Sequence, residues 1–104
     1  MILELNKRVT DVVSGKTIQT EEDKDADLRY VIVNALVGTI KGDENLDGKK
    51  KFELWELAGK INDTKVDVEL TTEEVAKIKE RVGKFYPIAI VGSAYNLIEN
   101  VSGE

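Results

Sequence analysis

The stretch Leu70-Thr-Thr-Glu-Glu-Val-Ala-Lys-Ile-Lys-Glu-Arg-Val-Gly-Lys-Phe-Tyr-Pro87 decides how the chain is organised. Thr71 followed three residues later by Glu74 is a capping box: the threonine hydroxyl takes an orphan amide of the first turn, and Glu74 reaches back to the Thr71 amide. Leu70 and Val75 stand where a hydrophobic staple would form. Val75, Ile78 and Val82 then recur at helical spacing as a buried stripe, while Glu73–Lys77 and Glu80–Lys84 are i,i+4 charge pairs in the favourable order. Pro87 ends this helix, because it lacks an amide donor and disfavours helical geometry at Tyr86.

Pro87 also suits the first position of a fourth helix running to about Asn100. Ile88, Val91, Tyr95 and Ile98 form one apolar stripe, and Ile90, Ala94, Leu97 and Val101 widen it to more than half the circumference. A surface helix in a monomer needs one apolar face. The surplus predicts self-association or a protein partner, through Tyr95, Ile98 and Val91, with a two-fold homodimer as the default assembly.

Upstream of Leu70, Val66, Val68 and Leu70 alternate with acidic residues, the period of a half-buried strand. A second helix is predicted over about Lys49 to Asn62, with Phe52, Trp55, Ala58 and Ile61 facing inward and Glu56–Lys60 paired on its outer side. The first helix carries Leu28, Val31, Ile32, Ala35 and Leu36; Asp25 or Asp27 can cap it, and Gly38 or Gly42 can end it in a left-handed turn.

Residues 19–27 carry five acids and one lysine with no apolar side chain larger than alanine, and read as a mobile loop. Before them, Met1–Leu5 and Val9–Val13 favour β-structure, Ser14-Gly15 can reverse the chain, and Lys16–Gln19 can follow as a strand. The strand at 66–70 is expected to join this hairpin, since a lone hairpin is marginal in water. The fold class is therefore α+β in a single domain over 1–104: a β-element at 1–18, the acidic loop at 19–27, and a mainly helical remainder at 28–104.

With 104 residues, no histidine and no cysteine, the sequence has no imidazole base, no thiolate and no zinc site of the usual kind. Ser14, Ser93 and Ser102 have no histidine to activate them and no nucleophile elbow, and no phosphate-cradling glycine loop occurs. A net charge of −5 works against nucleic acid, which needs a basic face. The longest apolar run, Ile88–Val91, is far too short for a bilayer. No basic segment precedes an N-terminal apolar run, so a soluble cytoplasmic protein is expected. No cofactor is indicated.

Two constellations imitate metal sites. Asp43, Asn45, Asp47 and Gly48 match positions one, three, five and six of a calcium-binding loop. The match fails at position twelve, where Leu54 replaces a bidentate glutamate, and at position eight, where Lys50 replaces an aliphatic residue. Three lysines beside the loop oppose a cation, and a helix-capping turn accounts for the same residues. Asp11 with Glu22, Asp23 and Lys24 imitates a magnesium-dependent nuclease set, but without rigid strands to hold it. The glycines at Ala58-Gly59 and Gly92-Ser93-Ala94 read as sites of close helix–helix approach, and Trp55 reads as core before interface.

The whole chain resembles a type of short open reading frame found in tailed bacteriophages and prophages. The likeness rests on Val13-Ser-Gly-Lys16, Val31-Ile-Val-Asn-Ala-Leu36, Phe52-Glu-Leu-Trp-Glu-Leu-Ala-Gly-Lys-Ile61, Val68-Glu-Leu-Thr-Thr-Glu-Glu74 and Val82-Gly-Lys-Phe-Tyr-Pro87. These are structural patterns, so the resemblance carries over no catalytic residue. It implies a non-catalytic, protein-binding accessory protein, acting in virion assembly or on a host protein within the host cytoplasm. The alternative is a small-ligand or cation-binding module using the Asp43–Gly48 loop.

Overall fold

A computed structural model of the chain describes residues 2–10, 26–64 and 66–101. Among the described residues, four helices stand with a two-stranded antiparallel sheet. Strand β1 (Ile2–Glu4) pairs with β2 (Asp67–Glu69) in the register Ile2↔Glu69, Leu3↔Val68 and Glu4↔Asp67. The period-two pattern turns Leu3 and Val68 inward and leaves their neighbours in solvent. Val66 departs from the expected alternation. It precedes the strand at a bend and is exposed, while Val68 and Leu70 are buried.

After β1, Arg8 and Thr10 take bridge positions rather than a continuous strand, and residues 11–13 of the expected Val9–Val13 strand lie outside the described residues. The Leu28 amide donates to Lys7 O at 2.8 Å, Arg29 to Leu5 O, and Val9 to Ala26 O, so this segment is tied to the start of the first helix. Arg8 and Asp27 form an isolated bridge. The expected reversal at Ser14-Gly15, the strand Lys16–Gln19 and residues 19–25 of the acidic loop lie outside the described residues. The loop reading fails at its C-terminal end: Ala26 is fully buried and Asp27 is the helix cap.

Helix α1 (Leu28–Val37) starts where the Asp27 carboxylate accepts the Tyr30 amide at 2.9 Å. It ends at Gly38, which is extended (φ −72°); the left-handed glycine is Gly42 (φ 101°), just before a single 3-10 turn at Asp43–Asn45. Helix α2 (Gly48–Asp63) follows, capped by Asp47 through the Lys50 amide at 2.8 Å. Helix α3 (Thr72–Phe85) has the full capping box, with Glu74 N to Thr71 Oγ1 at 3.1 Å and Thr71 N to Glu74 Oε1 at 2.9 Å. Burial opposes ionisation of Glu74, but the Thr71 amide and Lys60 outweigh it and hold the carboxyl below its ordinary range. Helix α4 (Ile88–Val101) opens on the Pro87 carbonyl, which accepts the Ile90 and Val91 amides.

One cluster of buried side chains draws on every element, from Leu3 of β1 through Ile32, Ile61, Val68 and Ile78 to Ile98 of α4. Each such aliphatic side chain contributes about 1.5–3 kcal/mol by leaving water. Helix α1 lies at the centre and packs against the other three.

Helix α2 is turned differently from the sequence expectation. Phe52 and Trp55 are 55% and 66% exposed, and the buried stripe is Leu54, Leu57, Ala58 and Ile61. Ala58 and Ile61 face inward as expected, while Leu54 and Leu57 take the places expected of Phe52 and Trp55, giving the spacing i, i+3, i+4, i+7 of a single face toward α1. The expected surface pairs change partners for a related reason. Lys60 reaches across to Glu74 at 3.1 Å, not to Glu56, and Lys77 to Glu53 at 3.7 Å; only Glu80–Lys84, at 3.1 Å, stays on its own helix. The glycine role moves too. A Cβ at Gly59 or Gly92 would meet nothing within 4 Å, whereas one at Gly83 would lie 2.7 Å from the Tyr95 hydroxyl. Gly83 is where α3 and α4 approach closely.

Candidate functional site

Arg81 of α3 sits at a position no sequence pattern singles out, three residues beyond Ile78 and so on the inward side of the helix. It is 7% exposed. A buried guanidinium must spend its donors. Nε donates to Ala35 O at 3.0 Å, and Nη2 to Leu36 O at 3.2 Å and Gly38 O at 2.9 Å, so Arg81 takes carbonyls at the end of α1 that have no partner within the helix. Nη1 donates to Asp43 Oδ1 at 2.6 Å, while Asp43 Oδ2 accepts the Ile40 amide at 2.9 Å. The Arg81 hydrogen bond, reinforced by that amide, holds the Asp43 carboxyl below the usual carboxylate range. The connector between α1 and α2, residues 38–47, is thereby fastened to α3.

This geometry spends the would-be calcium ligands elsewhere. Both Asp43 oxygens are engaged, Asp47 caps α2, and Asn45 is an exposed member of the 3-10 turn. Among the described residues, no three His, Cys, Asp or Glu side chains come together to hold a metal ion. The set Asp11, Glu22, Asp23 and Lys24 lies outside the described residues.

The residues expected to meet a partner on α4 are placed unevenly. Ile98 is fully enclosed in the chain's own core and has no surface to offer, which corrects its assignment to an interface. Val91 and Tyr95 are half-buried, and the Tyr95 hydroxyl donates to Lys79 O of α3. The wide apolar stripe is largely explained by packing against α3, β1 and α1. Ile88, at the start of the helix, is 91% exposed.

The connector is flanked by two clefts that share Asp43, Leu46, Leu54 and Arg81 in their walls. One, of about 280 Å³, is bordered by Ile40, Lys41, Lys50, Lys77 and Lys84. The other, of about 460 Å³, is bordered by Val37, Thr39, Lys51 and Trp55. Beside it, the rings of Phe52 and Trp55 stack with centroids 5.7 Å apart and planes 19° apart, facing solvent. The sequence did carry a signal for this: Leu54, Leu57, Ala58 and Ile61 fit the inward template better than Phe52 and Trp55.

The chain matches no protein-family model, and no curated protein or solved structure shows significant similarity to it.

Proposed function

We propose that this chain is a non-catalytic protein-binding accessory protein of phage type, acting in virion assembly or on a host protein, and that it meets its partner through Phe52 and Trp55. The observation that carries the reading is the stacked aromatic pair, exposed on the outer face of α2 although a better-filled stripe of the same helix is buried. Large aromatic side chains left in water are the usual anchors of protein interfaces, because they bury much apolar area at little entropic cost. Val37 and the cleft beside Trp55 extend the apolar surface. The phage assignment rests on the sequence resemblance, and the non-catalytic reading on the missing histidine, cysteine and nucleophile elbow.

A photo-crosslinking amino acid at position 55, in cells that express the protein, tests this. A discrete adduct with one protein, identified by mass spectrometry and missing when the crosslinker stands at exposed Glu69 on β2, is the expected result. Equal or no adduct at position 55 overturns it.

A further inference from the structure

We infer that the partner presents an acidic amphipathic segment, whose carboxylates enter the lysine-bordered cleft while an apolar side chain lies against Trp55; this rests on the docking face proposed above. The chain as a whole carries −5, yet the border of the smaller cleft is basic. Lys41, Lys50, Lys77 and Lys84 border the smaller cleft against only two carboxylates, Asp43 and Glu80. Asp43 is neutralised by Arg81, Glu80 is shared with Lys84, and Lys77 is paired with Glu53. Among the described residues, Lys41 and Lys50 make no ion pair within 4 Å, and both are exposed.

The first turn of α2 adds to this. Lys49, Lys50 and Lys51 stand there with no acidic residue among them, where the helix dipole favours the opposite charge. Lys51 favours the ionised Asp43 carboxylate, while Lys50 is left for an acidic partner, because complementary charge steers encounter and sets orientation. The common walls of the two clefts, Leu46 and Leu54, make the basic border and the Trp55 surface neighbouring parts of one groove. An amphipathic segment matches that order of features. A single-stranded nucleic acid matches it less well, since the Phe52 and Trp55 rings already stack on each other and the net negative charge repels a polyphosphate.

The test follows the fluorescence of Trp55, the only tryptophan in the chain, during titration with a synthetic Leu-Glu-Glu repeat peptide, its Leu-Lys-Lys counterpart and an oligothymidylate. The acidic peptide should shift the emission, with an affinity that falls as salt rises. The variant Lys41→Glu/Lys50→Glu should bind it several-fold more weakly with an unchanged melting curve. Lys41→Ala/Lys50→Ala, which removes charge without adding any, should give a smaller loss in the same direction. No shift with the acidic peptide, equal binding of the basic one, undiminished binding by both variants, or tighter binding of the oligothymidylate each overturns the inference. A crosslinked partner that docks through a basic segment would overturn it while leaving the Trp55 face standing. Absence of any adduct removes the face itself.

Discussion

Asp43 Oδ1 lies 2.6 Å from Nη1 of Arg81, joining the α1–α2 connector to α3 across 38 residues of chain. The same guanidinium binds three carbonyls at the end of α1, so one side chain orients the connector, the helix end and the walls of both clefts. Removing either partner leaves the other with unmet hydrogen-bonding groups. Arg81→Ala should destabilise by about 3–5 kcal/mol, the scale for breaking a buried pair from one side. Asp43→Ala should cost about 1–3 kcal/mol, since Asp43 is more open to water. Denaturant midpoints of the two variants and of the double variant check both figures and the coupling between them.

The same pair sets an acid limit. The Asp43 carboxyl is held below its ordinary value in the folded chain, so its contribution is present above the unfolded value and is lost as pH falls through the folded one. Stability should therefore fall below pH ~4, and Asp43→Asn should flatten that part of the curve. Melting temperatures from pH 2 to pH 6 decide it; parallel curves for the two proteins would refute the assignment.

At the alkaline end the relevant group is Tyr86, whose hydroxyl donates to Val31 O at 2.9 Å. Burial, with a smaller effect from Tyr30, pushes it up to about 12. A raised folded value means that stability is intact below the unfolded value, about 10, and is lost as pH rises through 12. Tyrosinate absorbance should show a late component, titrating well above the ordinary tyrosine value of about 10. In Tyr86→Phe that late component should vanish, with a loss of about 1 kcal/mol at neutral pH.

The cap of α3 is a local test. Thr71→Ala should lower stability by about 0.5–2 kcal/mol, because the Glu74 amide loses its acceptor. An unchanged denaturant midpoint would contradict the capping geometry.

On α2 the expected sign reverses. Gly59 lies inside the helix with open space where a Cβ would stand, so Gly59→Ala should stabilise by about 1 kcal/mol. Gly38→Ala should do the opposite, since its Cβ would lie 2.6 Å from Asn34 O and against the Phe85 ring. Thermal melts of the pair, measured side by side, separate the two environments.

Much of the local structure was legible because its causes act within a few residues. Asp27, Asp47 and Thr71 accept the amides three positions on, and Pro87 ends one helix and opens the next for reasons internal to its ring. The pairing of residues 2–4 with 67–69 was readable in outline, since residues 66–70 alternate, residues 1–5 favour β-structure and a lone hairpin is marginal. The candidate site was scarcely readable. Asp43 and Asp47 stand out as a metal-like spacing, yet one is bound by Arg81 and the other by its own helix.

From the sequence by itself come the four helices with their approximate bounds, and the exclusion of imidazole and thiolate chemistry. The tertiary structure alone decided where Arg81 spends its donors and which glycine admits a neighbour, and on α2 it took the Leu54–Leu57 side that the helical spacing already favoured. The physical reason is one of range. Caps and proline effects are complete within a single turn, whereas the burial of Leu54 and Leu57 in place of Phe52 and Trp55 is completed against α1, and the partners of Arg81 lie 38 to 46 residues away along the chain.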